Sequence, residues 1–339
     1  MAITCKHIAD MVGVSRQAAA SVLNNAPKCL VSKEKKEQIL ALAEKYHYVR
    51  NNAARTLRRG KSGIIGILSG GMHIVRTGIT LLTLDKVLRS QGFLPVIIYT
   101  ANEYDAITSG IRSLIQQNVD GLIINGIPPC RGENCTIAEL KKSGLLNLCP
   151  TILTNCEHDC AVPTVSYSYE EVINGIVDRI SMHRFSHIRP VLRARTFEAG
   201  FAIRETVKRL NIPALPAAVI GISEILSPDR FRNDILKDVR SAANSHLPGT
   251  LYLCDTGSSA NQICLSLMMR YGKIPEDAGI IVFDHTERFN YLTPAVTAVN
   301  LNFDLFAQKS WELLHECMSD RSICRKVDIP AELVIRETF

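Results

Sequence analysis

Arg16, Gln17 and Ser21 are the first residues whose types and spacing suggest chemistry. They lie near the start of a short segment, about Arg16 to Asn24, that reads as a helix. A guanidinium fork, a carboxamide and a hydroxyl on one helix start are groups that can hydrogen-bond in a DNA major groove. No catalytic constellation competes with them. The chain has no Walker lysine, no G-x-G-x-x-G, no H-E-x-x-H and no G-x-S-x-G. Single histidines such as His73, His158, His183, His187 and His285 read as solvated or satisfied groups.

The elements that must position these side chains are legible around them. Thr4 is an N-cap for a first helix whose apolar residues Ile8, Ala9, Met11 and Val12 recur at helical spacing. Gly13-Val14-Ser15 then breaks it: glycine tolerates positive φ, Val14 can bury in the angle, and Ser15 can cap the next helix. Ala18, Ala19, Val22 and Leu23 are available to pack inward. Two short helices joined by a tight turn form a helix-turn-helix unit. The same residues also fit an ordinary αα-corner in a globular core. Ser32 can cap a third helix running to about Tyr46, with Ile39, Leu40, Leu42 and Ala43 on one face. A headpiece of about fifty residues has a marginal core.

Charge supports a polyanion partner for this part alone. Residues 1–61 hold seven lysines and five arginines against Asp10, Glu34, Glu37 and Glu44, a net +8. The other residues carry a net −2. No apolar run reaches the roughly 18–20 residues that span a bilayer, and the start lacks a signal peptide, so a cytoplasmic protein without membrane contact is expected. Eleven cysteines, an odd number, argue against a disulfide scaffold. Cys156-Glu-His-Asp-Cys160, with Cys130 and Cys135, invites a zinc check, but the paired C-x₂-C spacing of zinc sites is missing. Neither a metal nor a cofactor is expected.

From Ser62 the pattern changes. Short apolar runs such as Gly63–Leu68, Leu94–Tyr99, Val119–Ile124 and Pro150–Thr154 alternate with helical stretches. After a short strand near Thr164, the alternation resumes through Ile188–Leu192, Ala217–Ile222, Gly249–Cys254 and Gly279–Phe283, the last ending at Asp284. Such alternation means a doubly wound parallel sheet, and two successive sets suggest two similar lobes.

The chain resembles bacterial transcription regulators of the lactose-repressor family. The resemblance rests on Thr4, Ile8-Ala9, Gly13-Val14-Ser15, Val22-Leu23-Asn24, Val31-Ser32, Tyr48, Asn51, Ala54-Arg55 and Leu57, with looser matches such as Pro294-Ala-Val-Thr297 further on. It implies an α/β protein: a three-helix headpiece (1–48), a hinge helix or linker (49–61) and a two-lobed periplasmic-binding-protein-like core (62–339). Lobe 1 would hold about 62–165 and 300–326, and lobe 2 about 166–299 and 327–339. A long helix, Phe303 to Met318, should cross back to the first lobe, and a last strand, Ala331 to Arg336, should return to the second.

The resemblance also implies roles. Arg16 and Gln17 fall where base edges are read, arginine on guanine O6/N7 and glutamine on adenine N6/N7. Thr4, Ser15, Asn24 and Ser32 match positions that contact the DNA backbone. Asn51, Ala54, Arg55 and Leu57 belong to the hinge, where two subunits of a homodimer would wedge Leu57 into the minor groove at the centre of a palindromic double-stranded operator. There are departures. Ala18-Ala19-Ala20-Ser21 replaces a recognition-helix run with two hydroxyls and an arginine, and Arg50 stands in place of the proline before the hinge asparagine. A small-molecule effector is implied in the interlobe cleft, near Asn155, Asp255, Asp284 and Phe303. The family's ligand arginine falls on Phe197, with Arg193 and Arg195 close by. Those arginines fit an anionic ligand, a surface role, or a cleft that has lost its effector. The competing reading is a plain small-molecule binding protein whose headpiece does not read DNA.

Overall fold

The computed structural model describes residues 3–24, 29–48, 60–70, 75–100, 103–126, 136–156, 162–180, 185–193, 198–220, 245–284 and 293–339. The chain forms two compact units, residues 1–62 and 63–339.

The first unit holds three helices: α1 (Cys5–Val12), α2 (Arg16–Leu23) and α3 (Lys33–Lys45). Each begins at a hydroxyl residue whose oxygen accepts a backbone N–H of the first turn: Thr4 from His7, Ser15 from Ala18 and Ser32 from Lys35. The Thr4 N–H in turn donates to His7 Nδ1 at 3.2 Å, which closes the cap from both sides. α1 ends at Gly13, whose φ of +67° is a left-handed conformation that a side chain would strain. The three helices meet around Ile8, Ala9, Ala19, Val22, Leu23 and Ile39, all buried.

The second unit is built on strands β1 (Ile64–Ser69), β2 (Leu94–Tyr99), β3 (Gly121–Asn125), β4 (Thr151–Thr154), β5 (Thr164–Ser168), β6 (His187–Arg193), β7 (Ala218–Ile220), β8 (Thr250–Cys254), β9 (Gly279–Val282), β10 (Thr297–Leu301) and β11 (Lys326–Val334). Their order is β2-β1-β3-β4-β5-β11-β10-β9-β8-β6-β7. Every pairing is parallel except β10 with β11. β3, β4, β8 and β9 are buried along their whole length, as strands covered on both faces must be.

The covering helices are α4 (Val75–Ser90), α5 (Tyr104–Gln116), α6 (Thr136–Lys142), α7 (Glu170–Ile180), α8 (Glu198–Leu210), α9 (Gly257–Tyr271) and α10 (Phe303–Ser319). α5 lies close on β1 because Gly66 and Gly110 leave room; a Cβ on Gly110 would meet Leu68 at 2.6 Å. α10 buries Phe306, Ala307, Trp311, Leu313, Leu314 and Cys317 against α4 and strands β3 to β5, so this late helix does cross back to the first lobe.

β11 joins the halves. Lys326–Pro330 pairs in parallel with β5, and Ala331–Val334 pairs antiparallel with β10. The final strand therefore begins five residues earlier than the apolar pattern indicates. Pro330, which lacks an N–H and usually marks a strand's limit, sits at the point of transfer. β10 too was not anticipated. Among the described residues no helix is long and apolar enough to cross a membrane.

Candidate nucleic-acid interface and effector cleft

Arg16 and Gln17 are the first two residues of α2, and both are exposed. The Ser15 cap and the Gly13 turn fix the start of that helix. Val14 N–H donates to Ala9 O at 3.0 Å, and Lys35 Nζ reaches Gly13 O at 3.3 Å, tying α3 to the turn. The N-terminal end of a helix carries partial positive charge, so the guanidinium and the dipole favour the same anionic partner. Thr4, Ser15 and Ser32 are exposed at three helix starts, and Asn24 is exposed at the C-cap of α2. Each hydroxyl spends a lone pair on its cap but keeps its O–H proton for a phosphate oxygen. Capping and backbone contact are therefore compatible in one side chain.

Ser21 stands apart from Arg16 and Gln17. It is half-buried, and its hydroxyl meets Ala18 O at 2.8 Å and Cys29 Sγ at 3.2 Å. It braces α2 against the segment before α3. Ala18 and Ala20 are half-buried and Ala19 is buried, so this stretch packs as well as faces outward. Asn51, Ala54, Arg55 and Leu57 lie outside the described residues, as do Arg195, Phe197, Cys130, Cys135 and Cys160. Among the described residues no group of three or more His, Cys, Asp or Glu is placed to hold a metal ion.

In the second unit, buried polar side chains collect at the C-terminal ends of the parallel strands, where open α/β sheets bind ligands. Ser69 ends β1, Asn125 ends β3, Thr154-Asn155 end β4, Asp255 follows β8 and Asp284 follows β9 by two residues; all are buried. Asn155 adopts φ +51°, a conformation asparagine tolerates, which turns the chain at the end of β4. A chain of hydrogen bonds links the first-lobe groups. Asn125 Nδ2 donates to Ser69 Oγ at 3.4 Å. Asn125 Oδ1 accepts from Thr154 Oγ1 at 3.0 Å and from Asn155 Nδ2 at 2.9 Å. Asn155 Oδ1 then accepts from Arg76 Nη2 at 2.9 Å.

On the second-lobe side Asp255 accepts from Ser259 Oγ at 2.7 Å. Phe303 is 9% exposed and packs edge-on to Tyr167, with ring centroids 6.3 Å apart, so it supports the floor through that ring. Tyr167 itself stacks on Phe306 at 4.7 Å. Tyr169 and Phe283, both within the second lobe, lie 6.1 Å ring to ring, and Phe283 is next to Asp284 in the chain.

The sequence names Asn155, Asp255, Asp284 and Phe303 as candidates, of which Asn155, Asp255 and Asp284 lie at strand ends, but gives no place to Arg76, Ser69, Asn125, Tyr167 and Tyr169. Ser69 and Asn125 carried a usable signal, a polar residue closing an apolar strand. Arg76 carried none, because one arginine in a helix with mixed neighbours reads as surface.

A capped helix-turn-helix with exposed Arg and Gln at its second helix, ahead of an α/β core with polar strand ends, defines a ligand-modulated, DNA-binding regulator. The comparisons agree. A family model described as a periplasmic binding protein-like domain matches residues 173–339. The HTH-type transcriptional regulator PtxS of Pseudomonas aeruginosa is 22% identical over 337 residues, covering 98% of this chain and 95% of that protein. The sucrose operon repressor of Klebsiella pneumoniae is 33% identical over 183 residues, covering 53% of this chain and 52% of the other. A crystal structure of the Lac repressor bound to ONPG in the repressed state has the same fold, with a TM-score of 0.80 at 18% identity over 100% of both chains. Along nearly its whole length the chain is similar to transcription regulators of this kind, the ribose operon repressor of Halalkalibacterium halodurans among them at 23% identity.

Proposed function

We propose that this protein is a cytoplasmic repressor that binds a palindromic operator as a homodimer and responds to a small molecule held between its lobes. The observation that carries the reading is the exposed Arg16-Gln17 pair, fixed by the Ser15 cap at the head of α2 in a unit of net charge +8. In this reading residues 1–48 read DNA, residues 49–61 form the hinge, and residues 62–339 bind effector and dimerise. Arg16 and Gln17 take base edges, while Thr4, Ser15, Asn24 and Ser32 take phosphates. Asn51, Ala54, Arg55 and Leu57 act in the hinge, with Leu57 as the minor-groove wedge. Ser21 holds α2 in place rather than contacting bases.

Asn155, Asp255 and Asp284 line the effector cleft and Phe303 backs it; Arg195 and Phe197 are assigned to the same cleft from the resemblance. A structural relative, the Lac repressor, is described as a dimer bound to operator and an anti-inducer, which supports both halves of the reading. Effector changes operator affinity only through its different affinity for the two lobe arrangements. A binding protein without DNA reading is the weaker alternative, because it leaves the exposed pair and the concentrated charge without a role.

The test is selection of preferred sequences from a random DNA pool by the full-length protein at physiological salt. A palindrome with a flexible pyrimidine–purine step at its centre is expected. Binding that falls with salt but enriches no sequence would overturn the repressor reading.

A further inference from the structure

We propose that a cavity in the first lobe is a thiol–disulfide exchange site, where Cys324 takes up a small disulfide carrying an anionic group and Arg321 attracts that group. The cavity has a volume of about 560 Å³. That falls within the roughly 300–1,000 Å³ of small-molecule sites. It lies at the N-terminal ends of β4 and β5, the opposite end of β4 from Asn155. Its walls include Pro150, Thr151, Val162 and Pro163 at the strand starts, with Cys317 in the last turn of α10 and residues 321–324 of the loop that follows.

Three thiols line this one space: Cys149, Cys317 and Cys324. They are not equivalent. Cys149 and Cys317 are buried, and burial pushes both thiols up, Cys317 to about 11, so they stay protonated. Cys324 is exposed. The thiolate is the nucleophile in exchange, so the attack belongs to the sulfur that solvent and reagent can reach. The two buried thiols supply a polarisable, unreactive lining.

Arg321 supplies the charge. Among the described residues that line the cavity it alone is charged. Its Nη1 donates to Asn147 O at 2.8 Å, which fixes the guanidinium beside the cavity, and its charge reaches the Cys149 thiol. The acids near it in the chain have partners of their own: Asp320 Oδ1 accepts from the Ser322 N–H and hydroxyl, and Glu316 pairs with Arg325 at 2.7 Å. In the exchange the Cys324 thiol gives its proton to water, and its sulfur attacks one sulfur of the small disulfide. A new S–S bond forms and the old one breaks. The departing thiolate carries off the electron pair and takes up a proton from water. Cys324 is oxidised, and the leaving half of the reagent is reduced. An excess of small thiol reverses the step.

The experiment uses the full-length protein and its Arg321→Gln and Cys324→Ser variants, both at exposed positions. Each is treated at neutral pH and constant ionic strength with oxidised glutathione, which is anionic, or with uncharged 2-hydroxyethyl disulfide. Adducts are followed by mass spectrometry of peptides, with Cys29 of the other unit as internal reference. Oxidised glutathione should modify Cys324 ahead of Cys149 and Cys317, and a reducing agent should remove the adduct. Arg321→Gln should slow that addition by about threefold, the size of an exposed charge attraction, and leave the uncharged reagent and Cys29 unaffected. In the adduct, N-ethylmaleimide should reach Cys149 and Cys317 more slowly, because the attached tail fills the cavity. An unmodified Cys324 would overturn the proposal. So would equal glutathione rates for wild type and Arg321→Gln, equal slowing with both reagents, or unchanged labelling of Cys149 and Cys317 in the adduct. Cys324→Ser should lose the adduct and keep the thermal stability of the core; an adduct that persisted at Cys149 or Cys317 would refute the choice of nucleophile.

Discussion

Ile39 offers a direct test of how the DNA-reading unit is held together. It is fully buried on α3 and packs against Ile8, Ala9, Ala19, Val22 and Leu23 of the other two helices. Ile39→Ala removes that contact and costs about 4 kcal/mol, within the 2–5 kcal/mol range for such truncations. A unit of this size has roughly 3 kcal/mol of stability to lose. The balance becomes about −1 kcal/mol, which leaves a folded fraction near 0.15. Two headpieces must fold to seat a dimer on one operator, so the fraction enters squared and apparent affinity falls roughly 40-fold. Ile39→Val, at about 1 kcal/mol, leaves the unit more than about 90% folded and affinity nearly unchanged. The assay pairs operator titration at fixed salt with amide hydrogen exchange of α1 to α3 and the melting temperature of residues 63–339. Undiminished operator affinity for Ile39→Ala, or a core that melts earlier in step with the headpiece, would refute the reasoning.

Three further outcomes are expected. Arg16→Ala should relax preference at one base pair in each half-site by roughly 1–3 kcal/mol; an unchanged sequence logo would remove Arg16 from base reading. Burial holds the His246 pKa below the ordinary histidine value, with Arg189 and Arg270 pushing the same way and Asp277 opposing, while Nδ1 meets the Tyr252 hydroxyl at 2.7 Å. A histidine depressed on folding stabilises the native state above its unfolded pKa, near 6.5, and loses that contribution as pH falls below it. Denaturant unfolding of the core should therefore weaken from pH 7.5 to 5.5, and His246→Gln should flatten that dependence; equal slopes would count against it. Among the described thiols, exposed Cys324 and Cys29, whose thiol is drawn below its usual pKa by Ser21 and the Val31 N–H, should alkylate first. Cys264, pushed up to about 12 by burial, and fully buried Cys254 should label last, and mass spectrometry of labelled peptides would expose any reversal.

What the sequence makes legible is local. Thr4, Ser15 and Ser32 announce their helices because capping needs only a hydroxyl three residues ahead of a backbone N–H. Apolar runs announce buried strands for the same reason of proximity. What stays hidden depends on distant partners. Lys326–Pro330 reads as polar and proline-ended, yet it is a strand because β5 offers it a parallel edge. Arg76 sits at the strand ends because Asn155 and Tyr169, far along the chain, meet it there. Ser21 looks like a contact residue until Cys29 is seen to face its hydroxyl.

The late return of α10 and β11 to the first lobe has a consequence for synthesis on the ribosome. β1 to β5 leave the exit tunnel as an unfinished sheet, because the helix that covers Leu84, Leu88 and Ile152 begins only at Phe303. More than 130 residues separate the end of β5 from that helix, on the order of 10 s of translation. The small headpiece needs no such completion and folds as soon as it emerges. Each nascent chain thus acquires its DNA-reading unit well before its effector-sensing one, and its first lobe offers apolar surface to chaperones in the interval. A ribosome-bound chain halted at Leu301 should be captured by such a holdase, and one carried through Phe339 should be released.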